Sequence, residues 1–225
     1  GEDTLSLHDA LPIFRIAAVT TGSGGRCSWP DDASASQTES TASQFDSSTS
    51  SSDSTAVRDR RFPKDCDITR IYGPTVEISG EYEDWDKLRI DHGIAESGSD
   101  YQLGDAFPHD VLLDQMEGVG FKKGCYVGQE VVSRMQHRGT ARRRVLIAAG
   151  EGPLPPRGTE LTVDGKSVGT LGTVVGERGL AIARVDKVKT AMDAGQPIVA
   201  GGVPVSLAIP AWATFTFPQE QSEDA

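Results

Sequence analysis

Glu160-Leu161-Thr162-Val163-Asp164-Gly165-Lys166-Ser167-Val168-Gly169-Thr170 decides the fold of the second half of this chain. Two short runs of strand-forming residues flank Asp164-Gly165, and an Asp-Gly pair suits the type I′ turn that joins twisted antiparallel strands. The pattern continues outward on both sides. Val145-Leu146-Ile147-Ala148 precedes the hairpin; Val174-Val175, Gly179 to Val185 and Val203 to Ala208 follow it. Short strands separated by glycine turns predict a small β-barrel or sandwich.

Upstream of Thr140 the apolar spacing is helical. Asp84 to His92 predicts a helix with Trp85, Leu88 and His92 on one face and Gly93 as its stop. Pro108 to Gln115 predicts a short helix with proline in its first turn. Gln129 to His137 predicts another, with Val131, Val132 and Met135 on its apolar face and Gly139 ending it. Cys66 to Gly73 reads as a strand ended by Gly73-Pro74.

The remaining N-terminal sequence is different in kind. Thr4 to Ile13 is what one reading frame of a common sequencing adapter encodes, so residues 1–13 read as an assembly artefact with the natural N-terminus missing. From Ser28 to Thr55 the chain is mostly Ser, Thr, Asp and Gln, which cannot offset ordering entropy by burial. Residues 14–59 are therefore expected to be low-complexity and largely disordered, followed by an α/β region over 60–140, the barrel over 141–218 and a tail over 219–225.

Composition narrows the function. The apolar share of 37% is low, consistent with a stretch that buries nothing. A net charge of −11 opposes nucleic acid and anionic membranes as general partners. No apolar run reaches the ~18 residues of a spanning helix. Cys27, Cys66 and Cys125 are odd in number and widely spaced, against both a disulfide framework and a CxxC metal site. Reduced thiols and a cytoplasmic location are the expectation. His8, His92, His109 and His137 form no ligand pair, and no sequence-local metal site is expected. No Ser-His-Asp order, phosphate loop or dinucleotide fingerprint occurs.

Lys123-Gly124-Cys125-Tyr126-Val127-Gly128-Gln129-Glu130 carries the chemistry. A thiol becomes reactive as thiolate, which helix N-termini and nearby cations favour, and Cys125 lies just before a predicted helix with Lys122 and Lys123 beside it. The competing reading is a small buried hydrophobe. Glycines at Gly124 and Gly128 permit a tight turn and close approach of a ligand to backbone. Arg138 and Arg142-Arg143-Arg144 extend the basic run; they can hold a polyanion or RNA, or simply alternate along a strand. Glu130, and the Arg89/Asp91 pair, offer either heterocycle recognition or structural ion pairs.

Three segments carry a family resemblance. Trp85–Tyr101 (WDKLRIDHGIAESGSDY), Asp105–Gln115 (DAFPHDVLLDQ) and Gly118–Arg144 (GVGFKKGCYVGQEVVSRMQHRGTARRR) resemble the YgfZ branch of the glycine-cleavage T-protein superfamily, whose signature is KGCYxGQE. Val168–Gly172 (VGTLG) and the distal strands resemble its C-terminal barrel.

The resemblance implies an α+β fold: a truncated remnant of a three-domain folate-binding ring followed by a small C-terminal antiparallel β-barrel. It implies a tetrahydrofolate-dependent accessory protein for iron–sulfur cluster assembly or repair, with iron–sulfur proteins or assembly factors as partners and radical tRNA-modifying enzymes among its clients. Cys125 and Lys123 fall on the family's reactive positions; Arg89, Tyr126, Gly128, Gln129, Glu130 and Arg138 fall on its folate side. The related aminomethyltransferases are the alternative, but they carry a DFxGRE-like motif without the cysteine. The family's first half, which completes the folate cavity, is replaced here by the adapter-like and Ser-rich sequence.

Overall fold

A computed structural model describes residues 19–20, 55–64, 66, 68–72, 81–138 and 141–218. The chain divides into two compact units, Gly1–Gly80 and Glu81–Ala225.

In the first unit, β1 (Val19–Thr20), β2 (Thr55–Arg58) and β3 (Ile68–Tyr72) form an antiparallel sheet in the order β1-β3-β2. The expected strand at Cys66–Gly73 is β3. Strands β1 and β2 fall inside the segment expected to be low-complexity. Thr55 to Arg58 supplies two β-branched residues, and their pairing with β3 gives the backbone the partners that composition alone does not reveal. The buried Asp59 carboxylate accepts from Arg61 at 2.8 Å and Arg70 at 2.6 Å, and Cys66 is buried.

The second unit begins with α1 (Tyr82–His92) and α2 (Gln129–Arg138). Strands β4 (Arg143–Gly150), β5 (Glu160–Val163), β6 (Lys166–Val175) and β7 (Arg178–Arg184) follow, then α3 (Val185–Asp193), β8 (Val199–Ala200) and β9 (Val203–Ala208). The strands close into an antiparallel barrel in the order β4-β7-β6-β5-β8-β9, with β9 returning to β4. Closure pairs every strand of the barrel on both sides. The β5–β6 hairpin turns on Asp164 (φ 48°) and Gly165 (φ 73°), both left-handed as a type I′ turn requires. Val174-Val175 is not a separate strand but the far end of β6, beyond a register shift after Leu171.

Two apolar clusters explain the strand sequences. Inside the barrel, Leu146, Ala148, Leu161, Leu171, Ala181 and Leu207 pack together. Val145, Leu180 and Ile182, on the opposite faces of β4 and β7, pack with Ile90 of α1 and with Val111 and Leu112. These two strands bury both faces and so read as unbroken apolar runs rather than alternations. Each fully buried leucine contributes about 2 kcal/mol by leaving water.

The structure corrects three readings. α1 forms, but Arg89 and Ile90 are its buried residues, while Trp85, Leu88 and His92 are only half-buried. Pro108 to Gln115 is a series of turns, not a helix. Leu112 adopts φ 61°, which no right-handed helix can include, and its fully buried side chain holds it there. α3 was not anticipated, because β7 runs into it without a loop.

Gly93 ends α1 as expected, at φ 66°, with the N–H groups of Gly93 and Ile94 donating to Ile90 O and Arg89 O. A Cβ at this position would lie 2.3 Å from Pro210 Cγ, so glycine is required twice over. No helix among the described residues is long and apolar enough to cross a membrane.

Candidate functional site

The Lys123–Glu130 segment forms the turn that leads into α2. Gln129 N–H donates to Tyr126 O (3.2 Å), the Gln129 side-chain oxygen accepts from Tyr126 N–H (3.4 Å), and Val132 N–H donates to Gly128 O (3.3 Å). Gly128 sits at φ 85°. The Lys123 ammonium lies 4.6 Å from the centroid of the Tyr126 ring, a cation–π contact. Cys125 is exposed, so the buried-hydrophobe reading fails for this cysteine and applies instead to Cys66.

Exposed apolar side chains lie near Cys125 in the chain. Val127 is fully exposed, and Phe121 and Val131 are each 44% exposed. Val132 is buried, so the predicted apolar face of α2 divides: Val132 packs inward, Met135 is half-buried and Val131 faces solvent. Glu130 pairs with Arg134 one turn on at 2.6 Å, but both side chains are mostly exposed and the pair contributes little stability. Gln136 Oε1 lies 3.3 Å from Nε2 of the buried His109, whose ring is tilted against Phe121 at 6.3 Å. Phe121 and Gln136, which flank the site segment in the chain, thus both meet His109 of the 108–117 turns.

Arg89 stands apart from this segment. Its side chain is 0% exposed, with Nη1 donating to Asp100 (2.7 Å) and Ile94 O (3.0 Å), and Nη2 to Asp86 (2.5 Å) and Thr173 (3.0 Å). Burial would lower its pKa, but Asp100, Asp86 and Glu96 together hold the guanidinium above its ordinary value. The cofactor role expected for Arg89 does not fit this arrangement; it is a buried tether between α1 and β6. Asp91 instead lies 4.0 Å from Arg178. Asp86, three residues before Arg89 on a helix, was a signal the sequence offered; Asp100 and Thr173 are partners only the fold supplies.

The arginine run also divides. Arg144 is buried, donates to Asp114 (2.7 Å) and His109 O (2.8 Å), and lies 5.0 Å from the Phe215 ring centroid. It has no surface for RNA. Arg143 is half-exposed and 3.7 Å from the buried Asp110. Burial pushes the Asp110 carboxyl above the ordinary carboxylate range, against the opposing pull of Arg143, the Phe107 N–H, Arg144 and His109. The side chain of Arg138 lies outside the described residues.

A groove of ≈560 Å³ opens on the barrel, bordered by Tyr101, Arg143, Arg157 and Arg184 and by no residue of the Lys123–Glu130 segment. Among the described residues no group of three His, Cys, Asp or Glu is placed to hold a metal ion.

Comparison with known proteins agrees with the barrel. Residues 142–215 match the family model of the CAF17 C-terminal β-barrel domain. The mitochondrial iron–sulfur cluster assembly factor IBA57 of Mus musculus is 37% identical over 116 residues, covering 49% of this chain and 32% of the relative. The Homo sapiens protein of the same name is 35% identical over 150 residues, covering 61% and 42%. A Chaetomium globosum homologue is 50% identical over 58 residues, covering 26% and 13%. The chain thus spans less than half the length of these relatives.

All of them are mitochondrial proteins by name, which overturns the expected cytoplasmic location. Three widely spaced cysteines argue only against an oxidising compartment, and that does not single out the cytoplasm. The comparisons do not single out the YgfZ branch: residues 142–215 match the CAF17 barrel model, and the matched stretches are similar to the IBA57 iron–sulfur cluster assembly factors.

Proposed function

We propose that this chain carries the C-terminal part of a mitochondrial accessory factor for iron–sulfur cluster assembly, with Cys125 as its reactive group. The carrying observation is the exposed thiol in a glycine-flanked turn at the start of α2, beside the exposed Val127. A thiol so displayed can reach a partner's cluster or cysteine, while the apolar side chains near it in the chain supply area to bury on docking. Lys123, held over Tyr126, shapes the turn rather than the thiol. The IBA57 relatives, named as cluster assembly factors, support the same reading.

The residues assigned to tetrahydrofolate by resemblance do not fit that group as they stand. Arg89 is sealed, Glu130 is paired with Arg134 in solvent, and Gly128, Gln129 and Tyr126 bond to one another or to α2 around the turn. No step of the proposed activity runs through a folate.

The test is a graft. Residues 81–218 replace the matching segment of human IBA57, and iron–sulfur enzyme activity is measured in cells depleted of their own copy. Rescue by the graft and failure of its Cys125→Ala form, both being folded and imported, is the expected result. Rescue by the Cys125→Ala graft removes the cysteine from the function; failure of both grafts removes the assembly-factor reading.

A further inference from the structure

The barrel groove contains a charge arrangement that neither folding nor the Cys125 site explains. In the β4–β7 register Arg143 stands directly opposite Arg184. Like charges at directly opposed positions of antiparallel strands destabilise the pair. Arg184 is relieved by Asp186 at 2.8 Å. Among the described residues Arg143 has only Asp110, at 3.7 Å and buried. A third cation, Arg157, reaches the same groove from an exposed turn and makes no ion pair among the described residues.

The acidic residues that line the groove leave Arg157 without an ion pair. Asp100 is fully buried and committed: its oxygens accept from Arg89, from Glu96 N–H at 2.7 Å and from Thr173 N–H at 2.6 Å. Asp105 is exposed at the rim. In a chain of net charge −11, three arginines border this one concavity, and Arg157 among them makes no ion pair with a described residue. Ser167 and Thr170 add hydroxyl groups, and Leu171 and Ile182 give part of the lining an apolar character. The volume is that of a small-molecule site.

We propose that this groove binds a small anion bearing two or more phosphate or carboxylate groups, held between Arg143 and Arg184 on one side and Arg157 on the other. A multivalent anion relieves the opposed arginines, and guanidinium groups bind both oxyanion types through paired hydrogen bonds. The inference is independent of the cluster-assembly reading, since the groove shares no residue with the Cys125 segment.

The test is a titration of the whole ¹⁵N-labelled chain in physiological salt with inorganic pyrophosphate and, separately, citrate. Saturable shifts at the Gly158, Gly169 and Thr170 amides are expected, with affinity falling about tenfold in Arg157→Gln and in Arg184→Gln for loss of one charged contact. Lys187→Gln, on α3, serves as the charge-matched control and is expected to bind as the parent does. Saturation by pyrophosphate alone identifies a phosphate-bearing ligand, by citrate alone a carboxylate-bearing one, and by both a site selecting on charge; each supports the proposal. Absence of saturation with either probe, or equal weakening in Arg157→Gln and Lys187→Gln, overturns it.

Discussion

Arg89 and Asp100 form an ion pair at 2.7 Å with both side chains 0% exposed. Asp100 also accepts from Thr173 N–H of β6, so this pair and its hydrogen bonds link α1 to the barrel wall. Removing one member of a buried pair leaves an uncompensated charge, which costs more than the pair itself contributes. Arg89→Ala is therefore expected to destabilise the unit by about 3–5 kcal/mol in urea unfolding. Lys87→Ala, which removes only exposed pairs with Glu83 and Asp84 on the same helix, should leave the midpoint nearly unchanged. An Arg89→Ala midpoint indistinguishable from the parent would mean that the network is incidental.

The β5–β6 turn gives a second, local prediction. Asp164 and Gly165 both hold positive φ, and a β-branched residue pays for that conformation with a Cβ clash. Gly165→Val should cost about 1–2 kcal/mol. Asp164→Asn, which keeps a favoured turn pair, should cost almost nothing. Equal losses in thermal unfolding for the two variants would contradict the type I′ assignment.

These two cases mark what was legible in the sequence. The hairpin was readable because its cause lies within four residues: Asp164-Gly165 and the flanking β-branched runs. The barrel followed from repetition of that pattern. Helix α3 was hidden because Val185 continues the apolar run of β7, although Val188 and Ala191 recur beyond it at helical spacing. Pro108 to Gln115 reads as a helix because proline and three apolar residues imitate a helix start, whereas Leu112 is held at positive φ with its side chain buried against Val145 and its neighbours. In the site, the turn into α2 was legible from Gly128 and the helical spacing beyond it. The sealing of Arg89 and the opposition of Arg143 to Arg184 were not, because both depend on partners 11 to 84 residues away in sequence or on strand register.

Asp110 supplies a pH prediction. Its folded pKa is raised by burial, so over the window between the ordinary and the raised value the folded chain binds more protons than the unfolded chain. The contribution of this carboxyl to stability is greatest below the ordinary carboxylate range and is lost as pH rises through the raised value. Asp110→Asn cannot ionise and keeps an acceptor for the Phe107 N–H. Its melting temperature relative to the parent should rise from about pH 4 to about pH 7. A relative fall over that range would show that attraction to Arg143 outweighs desolvation.

The contrast between Cys125 and Cys66 is the most direct check on the site. Cys125 is exposed and Cys66 is 3% exposed, so accessibility alone should separate them. With Cys27 replaced by serine to simplify the readout, brief treatment of the native chain with iodoacetamide should label Cys125 and spare Cys66. Addition of urea should expose Cys66 in step with loss of structure, while Cys125 labelling should change little. The two curves also separate local from global opening: labelling of Cys66 below the unfolding midpoint would place its strand region among the least stable parts of the fold. Protection of Cys125 in the native chain would withdraw the accessible thiol on which the proposed function rests.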